Sequence, residues 1–190
     1  VGTRYTDFTT SSKWLFKSDA KFVNINVSEF QAIKMDAIPV VADAKDTLPR
    51  LAKLLKGYKS SYTDEIAKAK KAWNEELDRL DGFTYANTKK WKPLVVDANL
   101  ESAHRFAKDV NAQLTQTAAL GAINAMMADD DVAIGASGSL PGDMQRMWRP
   151  RGVDTYNMEY GYSTMGYEVA GALGVKIAIG DKREVYSFVG

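Results

Sequence analysis

The sequence predicts an α/β protein, on three observations. Short runs rich in β-branched residues, at 22–27 and 132–134 among others, are each followed by a turn and by apolar residues at helical spacing. The helical stretches carry recognisable start and stop residues. A long charged helical segment separates two such strand–helix regions, so the chain divides into two α/β pieces with a helix between them. At 190 residues, 45% hydrophobic and 26% charged, it can bury a core as one domain or two small ones.

Phe22-Val23-Asn24-Ile25-Asn26-Val27 has strand composition. Ile38-Pro39-Val40-Val41-Ala42 is a second strand, with Pro39 at its start because proline cannot donate to a ladder. Asp43 stands at an N-cap position, Leu48, Leu51, Leu54 and Leu55 follow at helical spacing, and Gly57 closes that helix. Thr63 is the expected cap of the charged helix, with Asp64 and Glu65 where acid suits the helix dipole. Ile66, Trp73, Leu77 and Leu80 give it one narrow apolar stripe, which suits a helix lying along a surface, and Gly82 ends it. A third segment opens after Pro93. It holds helical pattern over 100–110 and 115–128, Asp129-Asp130-Asp131, and the strand Val132-Ala133-Ile134. A glycine-rich turn from Gly135 to Gly142 follows, then a short helix around Met144, Met147 and Trp148. A helix over 165–178 and a strand over 184–189 complete the chain.

Composition excludes several classes of function. Lys plus Arg is 25 and Asp plus Glu is 24, a net charge of +1, which removes the electrostatic argument for a nucleic-acid or anionic-membrane partner. There is no cysteine, hence no disulfide framework, Cys-zinc site or cysteine nucleophile, and a reducing cytoplasm is the expected setting. The single histidine, His104, rules out a His-rich metal site. With no apolar run of about 18 residues, no membrane-spanning helix is expected, nor a secretory leader.

Few residues point to chemistry by pattern alone. The strand, Gly/Ser turn and helix over 132–148 is how α/β proteins cradle phosphates, although the spacing is neither G-x-G-x-x-G nor G-K-[ST]. It admits a phosphate loop and an ordinary tight turn alike. Gly166, Ala170 and Gly174 form a stripe of small residues that permits close packing, and the loop before it carries Ser163 and Met165. Glu159 and Glu168 flank that loop as an acid, a base, a cap partner or a solvated charge. Asp129, Asp130 and Asp131 read as a solvated turn, because consecutive residues cannot all face one ion, and His104 reads as a surface or half-buried side chain.

Longer runs are more specific. Gly138-Ser139-Leu140-Pro141-Gly142-Asp143, Met147-Trp148-Arg149 and the stretch from Tyr156 through Glu159-Tyr160-Gly161-Tyr162-Ser163 and Met165-Gly166-Tyr167-Glu168 to Leu173-Gly174-Val175-Lys176 resemble thiamine-diphosphate-dependent enzymes. Within that superfamily they resemble the trihydroxycyclohexane-1,2-dione hydrolases (acylhydrolases) of myo-inositol breakdown. Gly2-Thr3-Arg4-Tyr5-Thr6-Asp7-Phe8 and residues 23–27 are similar to the family's central domain, so the likeness covers essentially the whole chain.

The resemblance implies parts of two Rossmann-like parallel-sheet domains joined by a charged helix. Residues 1–57 would be the C-terminal part of the central domain, 58–92 a helical linker, and 93–190 the N-terminal half of the diphosphate-binding domain. It implies that the backbone at Gly138, Ser139 and Leu140 meets the diphosphate, and that the Ser163 carbonyl accepts from the aminopyrimidine amine. Met165 would be the apolar wedge that holds the cofactor bent. Thiamine diphosphate and Mg2+ are the implied cofactors. The implied reaction is hydrolytic carbon–carbon cleavage of a cyclic diketone to 5-deoxyglucuronate, in a cytoplasmic homo-oligomer with no nucleic-acid or membrane partner.

The family's Gly-Asp-Gly metal motif would begin at Gly190, which leaves no metal ligand in the chain, and the glutamate that starts catalysis belongs to another domain. The catalytic residues are therefore unassigned. The expectation is an internal piece of a longer polypeptide, without activity or cofactor of its own, whose open sheet edges favour self-association. Three other readings stay open: an acetolactate synthase or decarboxylase of the same superfamily, a nicotinamide-binding oxidoreductase using the 132–142 strand and loop, and an inert structural piece.

Overall fold

The computed structural model describes residues 1–86 and 100–190. They form two compact units, Val1–Thr63 and Asp64–Gly190. The sequence-predicted boundary at 92/93, with Pro93, lies outside the described residues.

The first unit contains α1 (Asp7–Thr10), β1 (Val23–Asn26), α2 (Glu29–Ala32), β2 (Ile38–Val41) and α3 (Ala44–Leu54). β1 and β2 pair in parallel, Val23 opposite Ile38 and Asn26 opposite Val41, as the strand–turn–helix order of this segment predicts. Pro39 sits opposite Asn24, on a strand with one side unpaired, where its missing N–H is tolerated. The N-terminal segment lies beside β1: Gly2 N–H donates to the Ile25 carbonyl at 2.8 Å, and Asn26 Nδ2 donates to the Thr3 carbonyl at 3.0 Å. Asp43 caps α3, its Oδ1 accepting from Lys45 N–H at 2.7 Å.

The second unit contains α4 (from Thr63, through Asp81), α5 (Leu100–Asp109), α6 (Gln116–Met126), β3 (Val132–Gly135), α7 (Ser139–Met147), β4 (Tyr156–Met158), α8 (Tyr167–Ile179) and β5 (Val185–Phe188). Its sheet is all parallel in the order β4-β3-β5, with Ala133 opposite both Tyr156 and Tyr186. Central β3 is buried along its whole length, which is why its sequence is continuously apolar. Leu120, Met127, Ala133, Met144 and Phe188 form the core. Trp148 closes one side of it, edge-on to Phe188 with ring centroids 5.1 Å apart and stacked near Tyr156 at 6.3 Å.

The charged helix α4 packs onto this unit through the C-terminal part of its stripe. Leu77 is buried, whereas Ile66 and Trp73 are exposed. Arg146 reaches Glu76 at 3.1 Å, and Arg149 reaches Asp78 at 2.7 Å and Asp81 at 3.3 Å. The Thr115 hydroxyl caps α6 by accepting from Ala118 N–H at 3.2 Å and donates to the Phe83 carbonyl, tying the start of α6 to the end of α4.

Some elements differ from the sequence reading. Helix α7 begins at Ser139, so the glycine-rich turn ends at Gly138 instead of running to Gly142. Pro141 is tolerated because it lies in the first helical turn, where no intrahelical partner awaits its N–H. Thr63 is the first residue of α4 and not the cap before it, and α8 spans Tyr167–Ile179 behind an N-cap at Gly166. Strand β4 and the short helices α1 and α2 were not predicted. Helix α8 is apolar almost all round: its inner side meets β3 and β5, and its outer side leaves Val169, Leu173 and Ile177 exposed.

Candidate functional site

The C-terminal ends of three parallel strands gather the candidate residues. In open α/β sheets this is where ligands bind, because the loops there lead into helix N-termini. β3 leads through Ala136-Ser137-Gly138 into α7. Gly138, the N-cap, has φ +101 and ψ −173, a conformation that essentially only glycine adopts. A Cβ on it would stand 2.8 Å from the Gly190 carbonyl oxygen, and one on Gly190 would stand 2.7 Å from Leu140 Cβ. The turn after β3, the first turn of α7 and the residue two beyond β5 thus meet at glycine-only distances. No side chain caps α7, and its third residue is Pro141, so the backbone N–H groups of Ser139 and Leu140 head the helix.

The second loop follows β4. Glu159 N–H donates to the Gly135 carbonyl at 3.1 Å, continuing the β3–β4 ladder one step further. Its side chain turns back on the loop: Oε1 accepts from Tyr162 N–H and Oε2 from Thr164 N–H, both at 2.8 Å. These N–H groups, Thr164 first and Tyr162 second, hold the Glu159 carboxyl below the usual carboxylate range. Between them Ser163 has φ +53, and Gly166 follows with φ +88. Met165 is 86% exposed. The Tyr160 hydroxyl donates to the Pro141 carbonyl, linking this loop to the first turn of α7. Burial raises both the Tyr156 and the Tyr160 phenol above their ordinary values, and at Tyr156 the Tyr160 hydroxyl adds to the rise.

The residues singled out by sequence therefore fall at one end of one sheet. Gly138, Ser139 and Leu140 follow β3, Ser163 and Met165 follow β4, and Gly190 follows β5. Other candidates lie elsewhere or have structural partners. Asp131 is buried and not part of a solvated turn: Oδ2 accepts from Ala128 N–H at 2.8 Å and Oδ1 from Glu184 N–H at 3.2 Å. His104 is exposed on α5. Glu168 is buried in the first turn of α8, beside β5, where its carbonyl accepts from the Ser187 hydroxyl at 2.9 Å. Sequence reasoning weighed Glu159 as an acid, a base, a cap partner or a solvated charge, and missed which amides it holds and the Tyr160–Pro141 link. A carboxylate three and five residues before loop amides was the available signal for the first.

The donor set suits an anion bound by backbone. Two N–H groups at the head of a nine-residue helix, next to a glycine N-cap, fit a diphosphate. An exposed methionine and an αL serine at the neighbouring strand end fit an apolar ring with a polar edge. No group of three or more His, Cys, Asp or Glu side chains among the described residues could hold a metal ion.

Residues 136–190 match the family described as thiamine pyrophosphate enzyme, C-terminal TPP binding domain. More particularly, the whole chain is 52% identical to the 3D-(3,5/4)-trihydroxycyclohexane-1,2-dione hydrolase of Geobacillus thermodenitrificans, covering 29% of that protein. It is 53% identical to hydrolase 1 of that name in Bacillus cereus and 51% identical to the one in Clostridium tetani, covering 30% of each. The likeness read from the residues is thus borne out. The chain spans about three-tenths of the length of these curated relatives. No solved structure matches it. Among the described residues, no helix is long and apolar enough to cross a membrane.

Proposed function

We propose that this chain is the diphosphate-binding part, with an adjoining central-domain part, of a thiamine-diphosphate-dependent hydrolase that cleaves a carbon–carbon bond of 3D-(3,5/4)-trihydroxycyclohexane-1,2-dione to give 5-deoxyglucuronate. The observation that carries this reading is the meeting of Gly138, Leu140 and Gly190 at the uncapped head of α7, in a chain similar over all its residues to hydrolases of that name.

In this reading the Ser139 and Leu140 N–H groups receive the diphosphate, and the α7 dipole favours its charge. The Ser163 carbonyl would accept from the aminopyrimidine amine, and Met165 would support the ring as a flexible apolar wedge. Thiamine diphosphate, when bound, supplies a nucleophilic carbon and an electron sink for carbon–carbon cleavage. The residues of this chain bind and orient it. Magnesium enters the proposal as the counter-ion of the diphosphate, through the Gly-Asp-Gly motif that would begin at Gly190. Residues 1–57 would belong to the central domain, 58–92 to the linker and 93–190 to the cofactor domain, in a cytoplasmic homo-oligomer.

Calorimetric titration with thiamine diphosphate and Mg2+, with and without the dione, tests this. Saturable binding by a full-length protein, weakened by Ser139→Pro, which deletes one receiving N–H, is expected. Binding by a full-length protein that is indifferent to Ser139→Pro, or turnover of pyruvate in preference to the dione, would overturn it.

A further inference from the structure

The loop between β4 and α8 presents Ser163 in the left-handed region, which a non-glycine residue occupies at a cost. Something must hold it there. The two amides that flank Ser163, those of Tyr162 and Thr164, both end on the Glu159 carboxylate, one on each oxygen. The Thr164 N–H shares its peptide plane with the Ser163 carbonyl. No peptide bond among the described residues is cis, so across that plane the two groups point in opposite directions. Turning the Thr164 N–H toward Glu159 therefore turns the Ser163 carbonyl away from it. The base of the carboxylate is itself fixed, because Glu159 N–H is bonded to Gly135 at the end of β3.

We infer that Glu159 is a positioning residue: by capturing the Tyr162 and Thr164 amides it fixes the direction in which the Ser163 carbonyl accepts a hydrogen bond from a ligand amine. Glu159 is thereby neither an acid nor a base, and it makes no contact with the ligand. The role needs two acceptor oxygens. Glutamine provides one, and sets its NH2 donors against the other amide. Aspartate is one methylene shorter and cannot span both.

The inference rests on the proposed role of Ser163, so its test separates the two. The probes are thiamine diphosphate and inorganic diphosphate, both with Mg2+; the second reaches only the Ser139–Leu140 end. Amide exchange of the unliganded protein supplies a readout that needs no cofactor. In Glu159→Gln, exchange at Tyr162 and Thr164 should accelerate while that of Ala133 in β3 stays unchanged. Losing one well-directed neutral hydrogen bond should weaken thiamine diphosphate by about tenfold. Inorganic diphosphate should bind as before. Glu159→Asp should show the same split. Equal weakening of both probes, unchanged binding of both, or unchanged exchange at Thr164 would overturn the inference. Failure of the unaltered full-length protein to bind either probe would instead count against the proposed function, leaving the exchange result to judge the hold of Glu159 on the loop.

Discussion

Two glycines four residues apart should respond to the same substitution with opposite signs. Gly138 has φ +101 and ψ −173, and a Cβ there would lie 2.8 Å from the Gly190 carbonyl oxygen, a backbone atom with no rotamer to yield. Gly142 lies inside α7, is exposed, and has nothing within 4 Å of where its Cβ would be. Gly138→Ala pays the strain of a glycine-only region, about 1–3 kcal/mol, and a backbone displacement besides, so about 2–4 kcal/mol is expected. Gly142→Ala removes the helix penalty of glycine and should add about 0.5–1 kcal/mol. At about 2–4 °C per kcal/mol for a chain of this size, the first variant should melt several degrees lower and the second a degree or more higher. Thermal unfolding followed by near-ultraviolet circular dichroism reads both, since Trp148 reports on the sheet. Diphosphate affinity should fall with Gly138→Ala and hold with Gly142→Ala. Equal melting temperatures for Gly138→Ala and the unaltered protein would refute the reasoning, because they would mean that the turn had adopted an ordinary conformation at no cost.

Other outcomes follow from the same geometry. Because hydrogen bonding lowers the Glu159 carboxyl from its ordinary value of 4.5, the loop should be fully held above that pH and released as pH falls through the lowered value; amide chemical shifts of Tyr162 and Thr164 followed on acidification would show it, and a transition centred above 4.5 would contradict it. Met165→Ala, at a side chain 86% exposed, should leave stability within about 0.5 kcal/mol yet weaken thiamine diphosphate binding, checked by denaturant titration beside calorimetry. Met144→Ala empties a fully buried position beneath Gly135 and should cost about 2–5 kcal/mol in a urea titration, with diphosphate affinity falling only as far as the protein unfolds.

What the sequence made legible depends on where each signal is stored. β3 announced itself because a strand covered on both faces needs an unbroken apolar run, and Val132-Ala133-Ile134 is one. Asp43 declared its helix because capping is local chemistry. β4 did not: Tyr156-Asn157-Met158 is a three-residue edge strand whose pairing with β3 comes from tertiary contact, not from pattern. The start of α7 was hidden by Pro141 and Gly142, which suit a turn and the first helical turn equally. Asp131 looked solvated because its second partner, Glu184, is 53 residues away. The site residues came from resemblance, since neither glycine spacing nor a charge cluster marks them; that they share one end of one sheet became visible only in the fold.

The placement of β5 has a consequence for how this part of the fold closes. β5 is distant from β3 in sequence, yet it pairs with central β3 and carries Gly190 against Gly138 and Leu140. The turn at Gly138 has its counterpart only once β5 has closed a long loop to reach β3, an entropic cost that must be met before the contact rewards it. Helix α7 forms from local contacts, whereas the cradle at its head depends on a non-local one. Any ligand that engages Gly138 therefore favours molecules in which β5 is docked on β3.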